Sequence, residues 1–284
     1  MPPQPGPRQD PRIVSQLGTA HPLEFTLQPG LSLLEAVAGP LRRAGFTSAV
    51  LELSGGGFGP FAYVLPAAAA DASHAAWYSA PRAPPGGGQL ERGCVTFGQR
   101  IGRAGPEDWL HCHGVWQEAA GRRGGHILPE ESRVAAPIAA RAWGLGGMGF
   151  RVVPDPETNF ALFTPVARPP RPGGTRAIAL RIRPDEDLPG ALAAACRQHG
   201  VRRAILRGSL GSLDGASFAT GTRVPDYATE LLVTQGRVGP DGVALSILLA
   251  DMAGQLHEGP LLPGRNPVCI TFEGLLEAMP EPRA

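Results

Sequence analysis

The sequence predicts an α+β protein built as two tandem units, each a mainly antiparallel sheet with one principal helix. Three observations predict it. Each half of the 284-residue chain opens with a strand and a helix, then continues in apolar or alternating runs separated by glycine and proline turns. Strands joined by such short turns run antiparallel. An offset of 155 residues lays "GFTSAVLELSGGGFG" over "GVRRAILRGSLGSLD", bringing Gly45 to Gly200, Ser54 to Ser209 and Gly56 to Gly211.

Residues 1–20, polar and proline-rich from "MPPQPGPRQDPR", read as a flexible tail. The first unit spans residues 21–165. Its first strand covers residues 25–27, and a helix follows over residues 32–44, where Leu33, Leu34, Val37, Ala38 and Leu41 recur at helical spacing. The cluster Gly55, Gly56, Gly57 and Gly59 reads as a tight strand-to-strand turn. The next segment, "PFAYVLP", is strand-like, and a phosphate loop would need a lysine. Residues 95–101, 109–117 and 133–142 extend the sheet.

Residues 166–174, in "PVARPPRPGG", read as a linker because proline fixes φ and lacks a donor. The second unit spans residues 175–284. Residues 177–183 alternate like a strand, and residues 188–199 form a helix with Asp185, Glu186 and Asp187 at its positive end. Strands follow over residues 230–238 and 242–249.

The composition removes several function classes. No lysine occurs, which excludes Schiff-base, pyridoxal-anchoring and phosphate-loop lysine chemistry. Residues 1–165 hold 13 arginines against 13 acids and residues 166–284 hold 13 against 12, so neither half has the basic excess that wrapping nucleic acid needs. Cys94, Cys112, Cys196 and Cys269 lack CxxC spacing and sit in apolar runs, as reduced thiols do. No signal core opens the chain and no apolar run approaches membrane-helix length, so a soluble, cytoplasmic protein is expected.

The segment "DWLHCHGVWQEAAGRRGGHIL" carries the chemistry. His111 and His113, two apart on a strand, point to one face while Cys112 points to the other. A hairpin then returns His126 beside them, and Gly124 and Gly125 let the returning backbone come close. Two histidines from one strand and a third from its neighbour suit a divalent metal with the fourth position open for water or substrate. Zinc stands ahead of nickel, cobalt or iron on ligand type. His21, His74, His199 and His257 have no such partner.

This segment resembles the PPC (plants and prokaryotes conserved) family in its "HCH", the hairpin "GVWQEAAGRR" and "GGHI", where isoleucine replaces the usual leucine. "LQPGLSLLEAV", "AVLELSGGG" and "GCVTFGQRIG" are similar to the family's upstream elements. The second half departs from the pattern: "VALSILLADMAGQLHEGPLL" offers only His257, which marks a degenerate copy kept for packing or to wall the first unit's pocket. The resemblance implies a metal-binding homo-oligomer, with a trimer favoured. It also implies DNA binding by family association, although the Arg-Gly-Arg-Pro hook is absent. The fold is also similar to that of acetolactate decarboxylase, which implies the alternative of a zinc-dependent lyase on a small oxygen-rich substrate. For such an enzyme Arg100, Arg103, Glu118, Glu130 and Glu131 are the acid, base or charge-stabilising candidates near the histidines in sequence.

Overall fold

The computed structural model describes residues 2–280; Met1 of the expected tail and residues 281–284 of the expected second unit lie outside them. Its main strands are β1 (Ile13–Leu27), β2 (Ala49–Ser54), β3 (Gly88–Gly102), β4 (Gly105–Glu118), β5 (Gly121–Ile127), β6 (Ile138–Gly146), β7 (Met148–Pro154) and β8 (Ala161–Ala167). They continue with β9 (Thr175–Ile182), β10 (Ala204–Leu213), β11 (Glu230–Gly239), β12 (Gly242–Ala250), β13 (Leu256–Pro260) and β14 (Val268–Ala278). Helices α1 (Leu33–Arg43) and α2 (Leu188–Gln198) complete the frame.

The expected α+β class is overturned: the chain is mostly antiparallel β, 56% strand and 8% helical, with two helices beside a large sheet. Each helix is only 11 residues long, whereas β1 and β3 run for 15 and β4 for 14. Strand content was underestimated in several places, among them β14, over which no strand was expected. The stretch read as tail enters β1 at Ile13, and the hairpin of β7 and β8 went unread beside the proline-rich connection. Residues 168–174 join β8 to β9.

The strand order explains how the halves meet. β1 pairs through its second part with β6, and the series continues β6–β2–β3–β4–β5. The first part of β1 pairs with β9, from which the order β9–β14–β10–β11–β12–β13 runs the same way. These main pairings are antiparallel; β7 adds a parallel bridge to β3, between Arg151 and Gln99. One long strand therefore stitches the halves into a single sheet, which curls until β11 and β12 lie against β4 and β5.

Each helix starts with a defined cap. Ser32 accepts from the Glu35 backbone while Glu35 reaches back to the Ser32 N–H, a capping box. Asp187 caps α2 by accepting from the Gly190 N–H at 2.9 Å. The buried residues Leu33, Ala36, Val37, Ala38 and Leu41 on α1 close one core, and Leu188, Ala191, Leu192, Ala195 and Cys196 on α2 close the other. Three smaller clusters bridge the halves, one joining Val50, Trp143 and Phe150 to Ala179 and Leu275, another joining Cys94 and Val115 to Leu210, Leu232 and Leu248, and a third joining Ala76 to Ala228 and Cys269. Close approach of β10 to β2 requires Gly208, whose φ is +49° and where a Cβ would meet Leu51 backbone atoms at 2.8 Å. No helix among the described residues is long and apolar enough to cross a membrane.

Candidate metal centre

Strand pairing assembles the three histidines. His111 and His113 leave the same face of β4, while Cys112 turns into the first-half core and is fully buried. β5 returns antiparallel with His126 directly opposite His113 in register. The ring centroids of His111, His113 and His126 lie 4.6, 4.9 and 5.4 Å apart pairwise. Gly125 is sterically required, because its Cβ would meet the Val64 carbonyl oxygen at 2.7 Å, whereas a Cβ on Gly124 would press on the movable Leu256 Cδ2 at 2.7 Å.

The cluster has a fourth member that the sequence reading missed. Glu230, the first residue of β11, lies with the three histidines so that one potential ligand atom from each falls within 4.8 Å of the others. The second half thus does more than wall a pocket. His257, its only histidine in the departing segment, faces Asp251 at 2.9 Å instead, outside the cluster. Glu273 on β14 adds another carboxylate, with Oε2 3.1 Å from His111 Nδ1. Neither acid shares a motif spacing with the histidines. The available signal was an ionisable residue inside an apolar run, in "TELLV" and "TFEGLL".

Hydrogen bonding shows what the cluster accepts. His113 Nδ1 faces the Leu231 carbonyl oxygen at 2.8 Å and must donate to it, because a carbonyl only accepts. Neutral His113 then presents a lone pair at Nε2, which faces Glu230 Oε2 at 2.5 Å and His111 Nε2 at 2.9 Å. A lone pair and a carboxylate oxygen do not share that distance without a proton or a cation between them. His126 Nδ1 is buried with no hydrogen-bond partner among the described residues, a second indication that the donor set is completed by something outside the chain. Three imidazoles and a carboxylate fit a divalent transition metal, and the outer contacts from Leu231 and Glu273 fix ring orientation as such sites require.

The electrostatics divide the histidines, holding His111 and His126 neutral and drawing His113 toward its charged form. Burial, with His113 adding to it, lowers His111 to about 3, so its imidazole stays neutral. Burial first and then the neighbouring imidazoles take His126 well below the usual histidine range. Burial also opposes charge on His113, but the Glu230 carboxylate outweighs it and raises His113. The same pairing lowers Glu230 against its own burial. Burial pushes Glu273 up to about 7.

Two cavities flank the cluster on the side of Tyr78. The wider, about 320 Å³, is lined by His111, His126, Tyr78, Glu130, Glu131 and Glu273 among others. The narrower, about 40 Å³, lies between His111, His113, Tyr78 and Glu230. Of the acids and arginines singled out from sequence, Glu130 and Glu131 reach the wide cavity. Glu118 instead lies by the Trp116 and Tyr63 side chains, and Arg100 pairs with Glu107 and stacks over Trp109. Arg103, near the exposed turn from β3 to β4, lines neither cavity.

Comparison with known proteins gives one family-model match. Residues 170–279 match the model of the Plants and Prokaryotes Conserved (PCC) domain. The second half of the chain is similar to the PCC domain. The motif resemblance at His111, His113 and His126 and the domain match therefore point to one family from opposite halves. Among solved structures, a plant- and prokaryote-conserved protein of Pyrococcus horikoshii is 15% identical and covers 54% of this chain and 97% of its own, with a TM-score of 0.42. A metal-containing protein of Archaeoglobus fulgidus is 14% identical, covering 53% and 97%, with a TM-score of 0.42. A curated bifunctional protein GlmU of a Synechococcus strain is 30% identical over 163 residues, 55% of this chain. The chain spans 24% of that protein's length.

Proposed function

We propose that this chain is a metal-binding protein in which His111, His113, His126 and Glu230 hold one zinc ion. The observations that carry the reading are the approach of His113 Nε2 to Glu230 Oε2 with His113 Nδ1 already committed to Leu231, which calls for a proton or a cation between them, and the buried His126 Nδ1 with no partner among the described residues, which a metal ion at the centre would supply. Glu230 takes the position that three histidines alone would leave to water. On this reading the two tandem units, residues 21–165 and 175–284, make one centre between them, and neither half holds a complete set. X-ray absorption at the metal edge tests the ligand set: nitrogen and oxygen scatterers support it, and a sulfur shell sinks it, because Cys112 faces the first-half core.

A second reading, a metal-dependent lyase on a small oxygen-rich substrate, is favoured by the wide cavity, which brings Glu130, Glu131 and Glu273 beside His111 and His126. A bound zinc would act as a Lewis acid toward a substrate oxygen. Glu273, with burial holding its pKa near 7, would be the proton-holding group closest to His111. Turnover of small hydroxy-keto acids by the zinc-loaded protein tests this reading, and no turnover across such a panel counts against it.

We further propose a homo-oligomer, with a trimer favoured. Its motive is the resemblance together with the terminal strand β13 of a sheet that carries only two helices as cover among the described residues. Light scattering across a concentration series tests it, and a monomer at micromolar concentration sinks it.

A further inference from the structure

Above the histidines lies a short hairpin whose strands are Pro66–Ala67 and Trp77–Tyr78. The intervening loop is latched at its far end. Asn159 donates from Nδ2 to the Ser73 carbonyl oxygen at 2.9 Å, from a backbone held at φ +62°, where asparagine is among the few residues tolerated. His74 and Trp77 pack on Phe160 beside it, with centroids at 4.7 and 5.2 Å. This arrangement sets the Tyr78 ring 5.1 Å from the His126 ring.

Tyr78 lines both cavities on its side of the cluster, standing at the partition between them. Tyr78 is half-buried, and its hydroxyl forms no hydrogen bond to any described residue, which leaves it free to donate to a molecule in either cavity. In the wide cavity it is the one hydroxyl donor among the described lining residues, and no arginine lines that cavity. The carboxylates Glu130, Glu131 and Glu273, by contrast, offer acceptors there. A ligand with an acceptor oxygen thus meets a single O–H donor next to the histidines.

We infer that Tyr78 is a binding residue that donates a hydrogen bond to an oxygen of a small carboxylate or carbonyl ligand, which would join the metal as a fifth ligand beside His111, His113, His126 and Glu230. The inference rests on the metal reading above. The latch from Asn159 and Phe160 keeps the donor in place before the ligand arrives, so little ordering is left to occur on binding.

The test uses the full chain loaded with Co²⁺, whose visible absorption reports ligand changes directly, titrated with acetate. Wild-type protein is expected to show tetrahedral-type Co²⁺ bands that acetate shifts, and Tyr78→Phe to show the same starting bands with acetate affinity about tenfold weaker. Tyr78→His keeps a ring and a donor and is expected to bind acetate as wild type does; it carries the test if the phenylalanine variant fails to fold. Normal bands with equal acetate affinity in wild type and Tyr78→Phe overturn the role of Tyr78 while leaving the metal centre intact. So does a histidine variant as weak as the phenylalanine one, or wild-type bands that acetate never shifts. Absence of Co²⁺ bands in the wild type overturns the metal reading itself, and this inference with it.

Discussion

His113 Nε2 and Glu230 Oε2 stand 2.5 Å apart although they come from strands in opposite halves of the chain, β4 and β11. The contact makes the centre depend on how the two halves are docked, so changes remote from the histidines should reach it. It also identifies a ligand that can be removed without touching the histidine motif.

Glu230→Gln should lower metal affinity steeply, because an amide oxygen replaces the anionic donor that faces His113. Glu273→Gln acts one shell further out, through His111 Nδ1, and should weaken binding by roughly 10- to 100-fold, the usual effect of losing a carboxylate that orients a ligating histidine. Competition against a chromophoric chelator measures both. An unchanged affinity in Glu230→Gln removes it from the ligand set.

Gly208→Ala should destabilise the fold by about 1–3 kcal/mol, since its Cβ would press on the Leu51 backbone at 2.8 Å where β10 crosses β2. Because β10 is also joined to β11 by strand pairing, metal affinity should fall together with stability. Urea unfolding followed by a metal titration checks this, and a variant as stable as wild type refutes the tight approach.

Asp155 gives the acid response a direction. Its burial would raise its pKa, but Arg181 and then Arg183 outweigh that and hold it below the ordinary carboxylate range. A group with a depressed folded pKa stabilises the fold above its unfolded value, about 4, and loses that contribution as pH falls through the folded one. Asp155→Asn should therefore cost about 3–5 kcal/mol at neutral pH, because Arg181, which is 1% exposed, is left without its carboxylate. The deficit should narrow below about pH 4 as the wild-type carboxyl protonates. Denaturant unfolding at pH 7 and pH 3 measures it, and a constant deficit at both would contradict the assignment.

DNA binding should be weak, indifferent to sequence and strongly salt-dependent, since the arginines and acids nearly balance in each half. A gel-shift series in salt tests it. Nanomolar, sequence-specific binding at physiological salt would instead promote a regulatory role.

Much of the frame was legible because the periodicities are local. The spacing of Leu33, Val37 and Leu41 marks α1, and the His-x-His alternation with a glycine return marks the β4–β5 hairpin. The balance of helix and strand was not legible, because proline-rich segments hid part of β1 and the β7–β8 hairpin. Glu230 and Glu273 were hidden for a different reason. Their approach to the histidines is set by the curl of the sheet, and His111 and Glu273 lie 162 residues apart with no local pattern linking them.

The most direct test of the metal centre is elemental analysis of the purified protein after metal-supplemented expression. The account predicts close to one divalent metal per chain, with loss of that metal in His113→Ala while circular dichroism remains unchanged. No bound metal in the wild type, two per chain, or full retention in His113→Ala would contradict it.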